Sequence, residues 1–251
     1  MKLQFWILLA IIIMSCNPKS PNGNSPSIID DVNVEELEKK GFEVFQESPE
    51  EALQIFKRVA IQYEKRQNRK KAGITNLNIA NIYDEHLAKT DSALIFSDKA
   101  LTLWKTQNDT LQMANLYKYI GLLKGRLGKM DEAISDVYQA INMYEKIGFE
   151  QGVAVSEINL AEVYYMDQKY AESEKFFTKS KDYWKGNGDL GRVFSNNILG
   201  IRICAKLGDL SKAEQLIKEN EEIMNHTDLN DFIKNRFQEL IDEIEEAVNR
   251  K

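Results

Sequence analysis

Histidine, cysteine and clustered carboxylates are the side chains that acid–base, nucleophilic and metal chemistry most often recruit, and their arrangement here supports none of it. His86 and His226 stand 140 residues apart, and neither has Cys, His or paired carboxylates at ligand spacing, so no metal site is expected. GRLGK at 125–129 lacks the spacing of a G-x-x-x-x-G-K phosphate loop. No G-x-S-x-G elbow occurs, and two histidines leave no Ser–His arrangement to argue. The paired acids Asp30-Asp31, Glu35-Glu36, Glu221-Glu222 and Glu245-Glu246 read as solvated helix faces, because a glycosidase-like pair needs a pocket and nothing marks one. Cys204, within ILGIRICAKLG, lies on an apolar helical face and reads as a buried structural thiol. The chain is expected to be non-enzymatic, with no cofactor. Its net charge of −6 also disfavours nucleic acid, which needs a basic stripe; KRQNRKK at 65–71 reads as a solvated helix end.

One cysteine sits in a different context. MKLQFWILLAIIIMSC has a basic Lys2 and ten apolar residues from Phe5 to Met14. As a helix those ten cover about 15 Å, half of a bilayer's hydrocarbon core, so a signal peptide fits better than a spanning helix. Ile13-Met14-Ser15-Cys16 resembles the lipobox of bacterial lipoproteins. That resemblance implies removal of residues 1–15, a diacylglyceryl thioether on Cys16 and membrane attachment through it. The following NPKSPNGNSPS is too poor in apolar groups to offset its ordering entropy, so residues 16–32 read as a flexible tether. Asn17 stands where lipoproteins retained in the inner membrane of Gram-negative cells carry Asp. The expected location is therefore the cell envelope, at the outer membrane facing the periplasm in such a cell.

Beyond this tether the sequence repeats itself. LGKMDEA at 127–133 returns as LGDLSKA at 207–213, and no proline follows Pro49, which suits long uninterrupted helices. Small residues recur at Ala52, Ala93, Ala133, Ser173 and Ala213, in steps of 41, 40, 40 and 40. Four residues after each come Phe56, Ser97, Val137, Phe177 and Ile217, and seven after come Val59, Ala100, Ala140, Ser180 and Asn220. Offsets of four and seven share one helical face. A second apolar-periodic segment lies upstream of each, marked by Ala80, Gly121, Ala161 and Gly200. The pattern predicts five helix–turn–helix units over residues 33–224.

These columns resemble the tetratricopeptide repeat (TPR), which places small residues at positions 8, 20 and 27 so that helices can approach closely. The resemblance implies an all-α superhelical solenoid, with Gly200 one residue out of register. The family's period of 34 and its closing proline are not reproduced here, and such longer repeats resemble those of bacterial sensor and regulator proteins. Lys40 at the eighth position of repeat 1 and Asn220 at the twenty-seventh of repeat 5 are exceptions, both at ends where a solenoid needs polar caps. Residues 225–251, with one apolar stripe and an acidic back, read as a C-terminal capping helix, with partner binding as the alternative.

By the same resemblance the first helix of each unit lines a concave groove for a protein or peptide partner. The matching positions are Asn78, Asn81, Asp84 and Glu85 in repeat 2, and Asn115, Lys118, Tyr119 and Arg126 in repeat 3. Asn159, Glu162 and Tyr165 follow in repeat 4, and Asn197 in repeat 5. The recurring asparagines could pair with an extended peptide backbone or with a neighbouring repeat. The resemblance thus implies a scaffold. The alternatives are a structural subunit docking through its convex face or ends, and a sensory module signalling through a separate protein.

Overall fold

The computed structural model describes residues 33–226, 234–235, 237–242 and 244. The signal peptide, Cys16, the tether and the remainder of the C-terminal segment lie outside them. Helices follow one another as α1 (Val34–Val44), α2 (Pro49–Lys65), α3 (Arg69–Asn81), α4 (Thr90–Lys105), α5 (Thr110–Arg126), α6 (Met130–Lys146), α7 (Glu150–Met166), α8 (Tyr170–Gly186), α9 (Leu190–Leu207) and α10 (Leu210–His226). No strand occurs among the described residues. Each helix packs against the next, so the chain is a row of antiparallel hairpins.

A regular turn makes the row. α5 to α8 are each 17 residues long, about 25 Å of helix, and a three-residue turn completes each step. The turn carries one left-handed residue, at Gln67, Ala88, Asn108, Gly128, Gly148, Gln168, Gly188 and Gly208. The next N–H usually reaches back across the last turn, as in Lys129 to the Lys124 carbonyl and Asp189 to the Trp184 carbonyl, which satisfies helix-end acceptors. That next residue caps the following helix when it is Asn68, Asp109, Asp189 or Asp209, each accepting from an N–H three residues on. Half of the left-handed positions are not glycine, and Ala88 at φ 50° has no side-chain hydrogen bond to offset the strain. Ala88→Gly is expected to raise stability by about 0.5–1 kcal/mol. Gly188→Ala, where a Cβ would meet nothing within 4 Å, should lower it by a similar amount through φ alone. Urea midpoints of the two variants check both signs.

The odd step of 41 has a physical location. α3 runs on into a five-residue π-helical turn, Ile82–His86, before α4 begins. A π turn holds one residue more than an α turn. The surplus residue is absorbed there, and the later helices start at regular intervals of 20.

The small-residue columns face inward. Ala52, Ala93, Ala133, Ser173 and Ala213 are buried, as are Val59, Ala100, Ala140, Ser180 and Asn220. Asn220 is therefore no solvated cap: its Nδ2 donates to the Phe194 carbonyl and its Oδ1 accepts from Asn197. At the other end Lys40 is exposed, and the close approach falls to Gly41, where a Cβ would stand 3.0 Å from the Phe56 ring. A further column lies eleven residues after the first: Tyr63, Trp104, Tyr144 and Trp184, all buried. These aromatics bridge their own repeat and the next. Tyr144 donates from its hydroxyl to Asn115 of α5 and fills the space left by Gly152 of α7. Tyr63 donates to Glu38 of α1 and lies under the Lys71 ammonium of α3. At the far end Phe237 and Leu240 are buried, with the Phe237 ring 5.3 Å from that of Phe194, so they cover the apolar side of the last hairpin.

Candidate functional site

The first helices of neighbouring hairpins touch one another, α5 against α7 and α7 against α9, whereas the second helices do not pair in this way. Helices on the inside of a curved stack crowd together, so α3, α5, α7 and α9 form the inner face.

On that face an alternating series of charges crosses four repeats. Asp84, carried by the π turn, accepts from Arg126 Nη1 of α5 at 2.6 Å and from the Tyr119 hydroxyl at 3.4 Å. Glu162 of α7 comes next, within electrostatic reach of Arg126 on one side and Arg202 of α9 on the other. Burial pushes the Glu162 carboxyl above its ordinary range, and the two guanidinium groups pull it back. Burial also pushes up the phenol of Tyr119, with the Asp84 charge adding to it. The carboxyl of Glu85 is raised by desolvation and then by Asp84 beside it. Asp84, Tyr119 and Arg126 thus tie repeat 2 to repeat 3.

Glu162 and Arg202 also rim a depression of about 460 Å³ between α7 and α9, with Asn159, Tyr165 and Ser195 on its polar edge. Ile158, Met166, Ile198 and Leu199 are its apolar lining. Asn78, Asn81 and Lys118 are half-buried on α3 and α5. The Nδ2 of Asn78 is buried, with no hydrogen-bond partner among the described residues.

Two sequence-derived positions are otherwise engaged. Asn115 accepts from Tyr144 and so belongs to the core contact within its own repeat. Asn197 does not line the groove. It is fully buried and donates to Glu219 at 3.0 Å and Asn220 at 2.9 Å, both on α10. The reason is register: α9 starts at Leu190, so the residue eleven positions on, equivalent to Gly121 and Ala161, is buried Ile201. Gly200 makes its close approach to the Phe177 ring of the preceding repeat instead. Counting from Ile201 keeps Ile198 on the inner face and brings Ser195, Leu199 and Arg202 to it, three residues that the glycine-based register misses.

No group of three or more His, Cys, Asp or Glu among the described residues could hold a metal ion. Cys204 is buried on the core side of α9, and burial pushes its thiol up, away from the reactive thiolate.

No family model matches the sequence, and no curated protein does. Solved structures do match. A kinesin light chain-like protein of nearly identical TPR-like repeats from Podosopora anserina aligns with TM-score 0.63 at 12% identity, over 78% of this chain and 97% of its own. A Rap protein complexed with competence and sporulation factor aligns with TM-score 0.68 at 15% identity, over 80% of this chain. A signal-transduction ATPase with a tetratricopeptide repeat sensor, from Pyrococcus horikoshii, aligns with TM-score 0.69 at 19% identity, over 85% of this chain. The chain spans 56% of the Rap protein's length and 36% of the ATPase's. At these identities the likeness concerns the fold, and the fold is that of a TPR-like α-solenoid.

Proposed function

We propose that this chain is a non-enzymatic scaffold that holds a protein or peptide partner along its inner face. We propose further that lipid on Cys16 anchors it to a bacterial envelope membrane, the outer membrane facing the periplasm in a Gram-negative cell. One observation carries the binding reading. The inner face holds a depression between α7 and α9, lined by apolar Ile158, Met166, Ile198 and Leu199 together with polar Asn159, Ser195, Glu162 and Arg202. An extended segment laid across α7 and α9 would cover the apolar groups and pair its backbone with the polar ones. The Rap neighbour, a structure with a bound factor, and the ATPase neighbour, with its repeats described as a sensor, support this use of the fold by analogy. The anchoring reading is supported by the Ile13-Met14-Ser15-Cys16 sequence and the polar segment after it.

Photo-crosslinking residues tested in the native cell address both parts. A crosslinker at Leu199, which lines the depression, should capture a discrete partner. One at Ile95, which is 56% exposed on α4, should capture none. Capture only from position 95 would move the interface to the outer face. In the same cells, labelled palmitate should enter the wild type, and Cys16→Ser should abolish labelling and release the protein from membranes. Continued labelling of Cys16→Ser would overturn the anchor.

A further inference from the structure

A row of antiparallel hairpins has two edges, one made by the turns inside hairpins and one by the turns between them. The turns between hairpins follow α2, α4, α6 and α8, at residues 66–68, 106–109, 147–149 and 187–189. The first described residue, Asn33, stands at this second edge, because α1 begins where α2 ends. Arg66 reaches Glu35 at 4.0 Å, and the Lys71 ammonium and the Tyr63 hydroxyl both reach Glu38.

The two edges differ in what they expose. At the first of these turns Lys65, Arg66, Arg69 and Lys70 are all exposed. Arg69 and Lys70 open α3, at the positive end of a helix, where cations are disfavoured. The second helices of the hairpins obey the ordinary rule and open on acids: Glu50 and Glu51, Asp91, Asp131 and Glu132, Glu172. The next turns between hairpins expose apolar groups instead, Leu111 at 39%, Ile147 at 44%, Phe149 at 39% and Leu190 at 43%. Exposed turns are ordinarily polar. On the other edge the exposed large apolar residues, Phe42, Leu207 and Leu210, fall at the two ends of the row. Acids are present on the basic edge too, but Asp109 and Asp189 cap helices and Glu35 faces Arg66. Glu145 and Glu150 offset Lys146, so charge is concentrated at the first turn and apolar exposure at the later ones.

Resting on the anchoring reading above, we infer that this edge is the face that meets the bilayer holding the Cys16 lipid. The cations of the α2–α3 turn take anionic lipid phosphates, and Leu111, Ile147 and Phe149 enter the boundary between headgroups and acyl chains. As a coil, residues 17–32 span about 20–24 Å, so lipid on Cys16 confines the edge that Asn33 occupies close to the membrane. Contacts too weak to recruit a free protein suffice at the resulting effective concentration. Helices running from this edge to the other then stand away from the bilayer, and the inner face opens sideways to a partner.

The test uses the full chain, purified from membranes and reconstituted in vesicles of phosphatidylcholine alone or mixed with phosphatidylglycerol. A fluorescent amino acid replaces Ile147 on this edge or Leu210 on the other, and lipids with nitroxide-bearing acyl chains act as quenchers. The probe at position 147 should be quenched and blue-shifted, more so with the anionic lipid, while that at 210 stays aqueous. Changing Lys65, Arg66, Arg69 and Lys70 together to Gln should shift the docked fraction by roughly 10- to 100-fold toward the undocked form on anionic vesicles. That variant should melt at or above the wild-type temperature, since it removes cations from a helix start. Vesicle flotation reports the anchor separately. A chain that floats with position 147 as aqueous as position 210, or with 210 the quenched one, would overturn the edge and leave the anchor standing. So would an unquenched position 147 that crosslinks to a protein in native membranes. A chain that neither floats nor carries lipid would overturn the anchoring reading and the edge with it.

Discussion

Trp104→Ala should lower the free energy of unfolding by about 3–5 kcal/mol, among the largest losses available to a single truncation in this fold. The indole is buried in a core cluster with Ala93, Leu101, Ala114 and Tyr117, drawn from its own hairpin and the next. α3 makes room for it: a Cβ on Gly73 would stand 2.9 Å from the indole nitrogen. That nitrogen has no acceptor among the described residues, so its removal also removes a desolvation cost. The loss should therefore fall toward the lower end of the range, about 3 kcal/mol. In a chain of this length that corresponds to a fall in Tm on the order of 6–12 °C. Trp104→Phe, which keeps most of the contact and drops the unpaired N–H, should lose much less. A loss below about 1 kcal/mol for alanine would mean that neighbouring repeats are not riveted through this column.

Gly121→Leu should be comparably severe. At Gly121 a Cβ would lie 2.5 Å from Val137 Cγ2, 3.0 Å from the Ala133 carbonyl oxygen and 3.4 Å from the Val137 nitrogen. A side-chain methyl can turn aside, but the backbone of α6 cannot do so without separating the hairpin. Alanine there gains about 1 kcal/mol of helix propensity and loses about 1–3 to overpacking, a modest net cost. Leucine adds three more carbons to the same gap, and a loss above about 3 kcal/mol is expected, with exposure of apolar surface to a dye. Val137→Ala should restore only part of it, because the Ala133 carbonyl stays. Gly186→Ala is the control: it ends α8 with nothing within 4 Å, and should be neutral or slightly stabilising. If Gly121→Leu melts like the wild type, the α5–α6 contact is looser than the geometry states.

Much of the fold is legible in the sequence because it depends on size at fixed intervals. A small residue every forty positions, with partners four and seven later, states which face of each second helix is buried. The bridging column eleven later has the same period, yet it alternates tyrosine with tryptophan and is not among the small-residue positions by which the repeat is recognised. Register is harder to read. Gly200 has the size that the pattern asks for, but helix phase is set by where α9 begins, and one residue of slip puts Ile198 where Asn197 was expected and Arg202 in place of Ile201. Hydrogen-bonding asparagines are ambiguous for a related reason, since the same amide can serve a ligand or a neighbour. Asn115 and Asn197 serve neighbours, while Asn78 is left with an unmatched donor.

The wide turn at Ile82–His86 has a consequence for how such arrays change length. Inserting one residue into an α-helix swings everything after it by about 100° and would expose a core face for the rest of the stack. Here the swing is contained within five residues. Every hairpin downstream keeps its phase, and Asp84 is presented to Arg126 from the loosened coil. Single-residue indels, ordinarily ruinous inside helical arrays, thus have at least one harbour in this architecture.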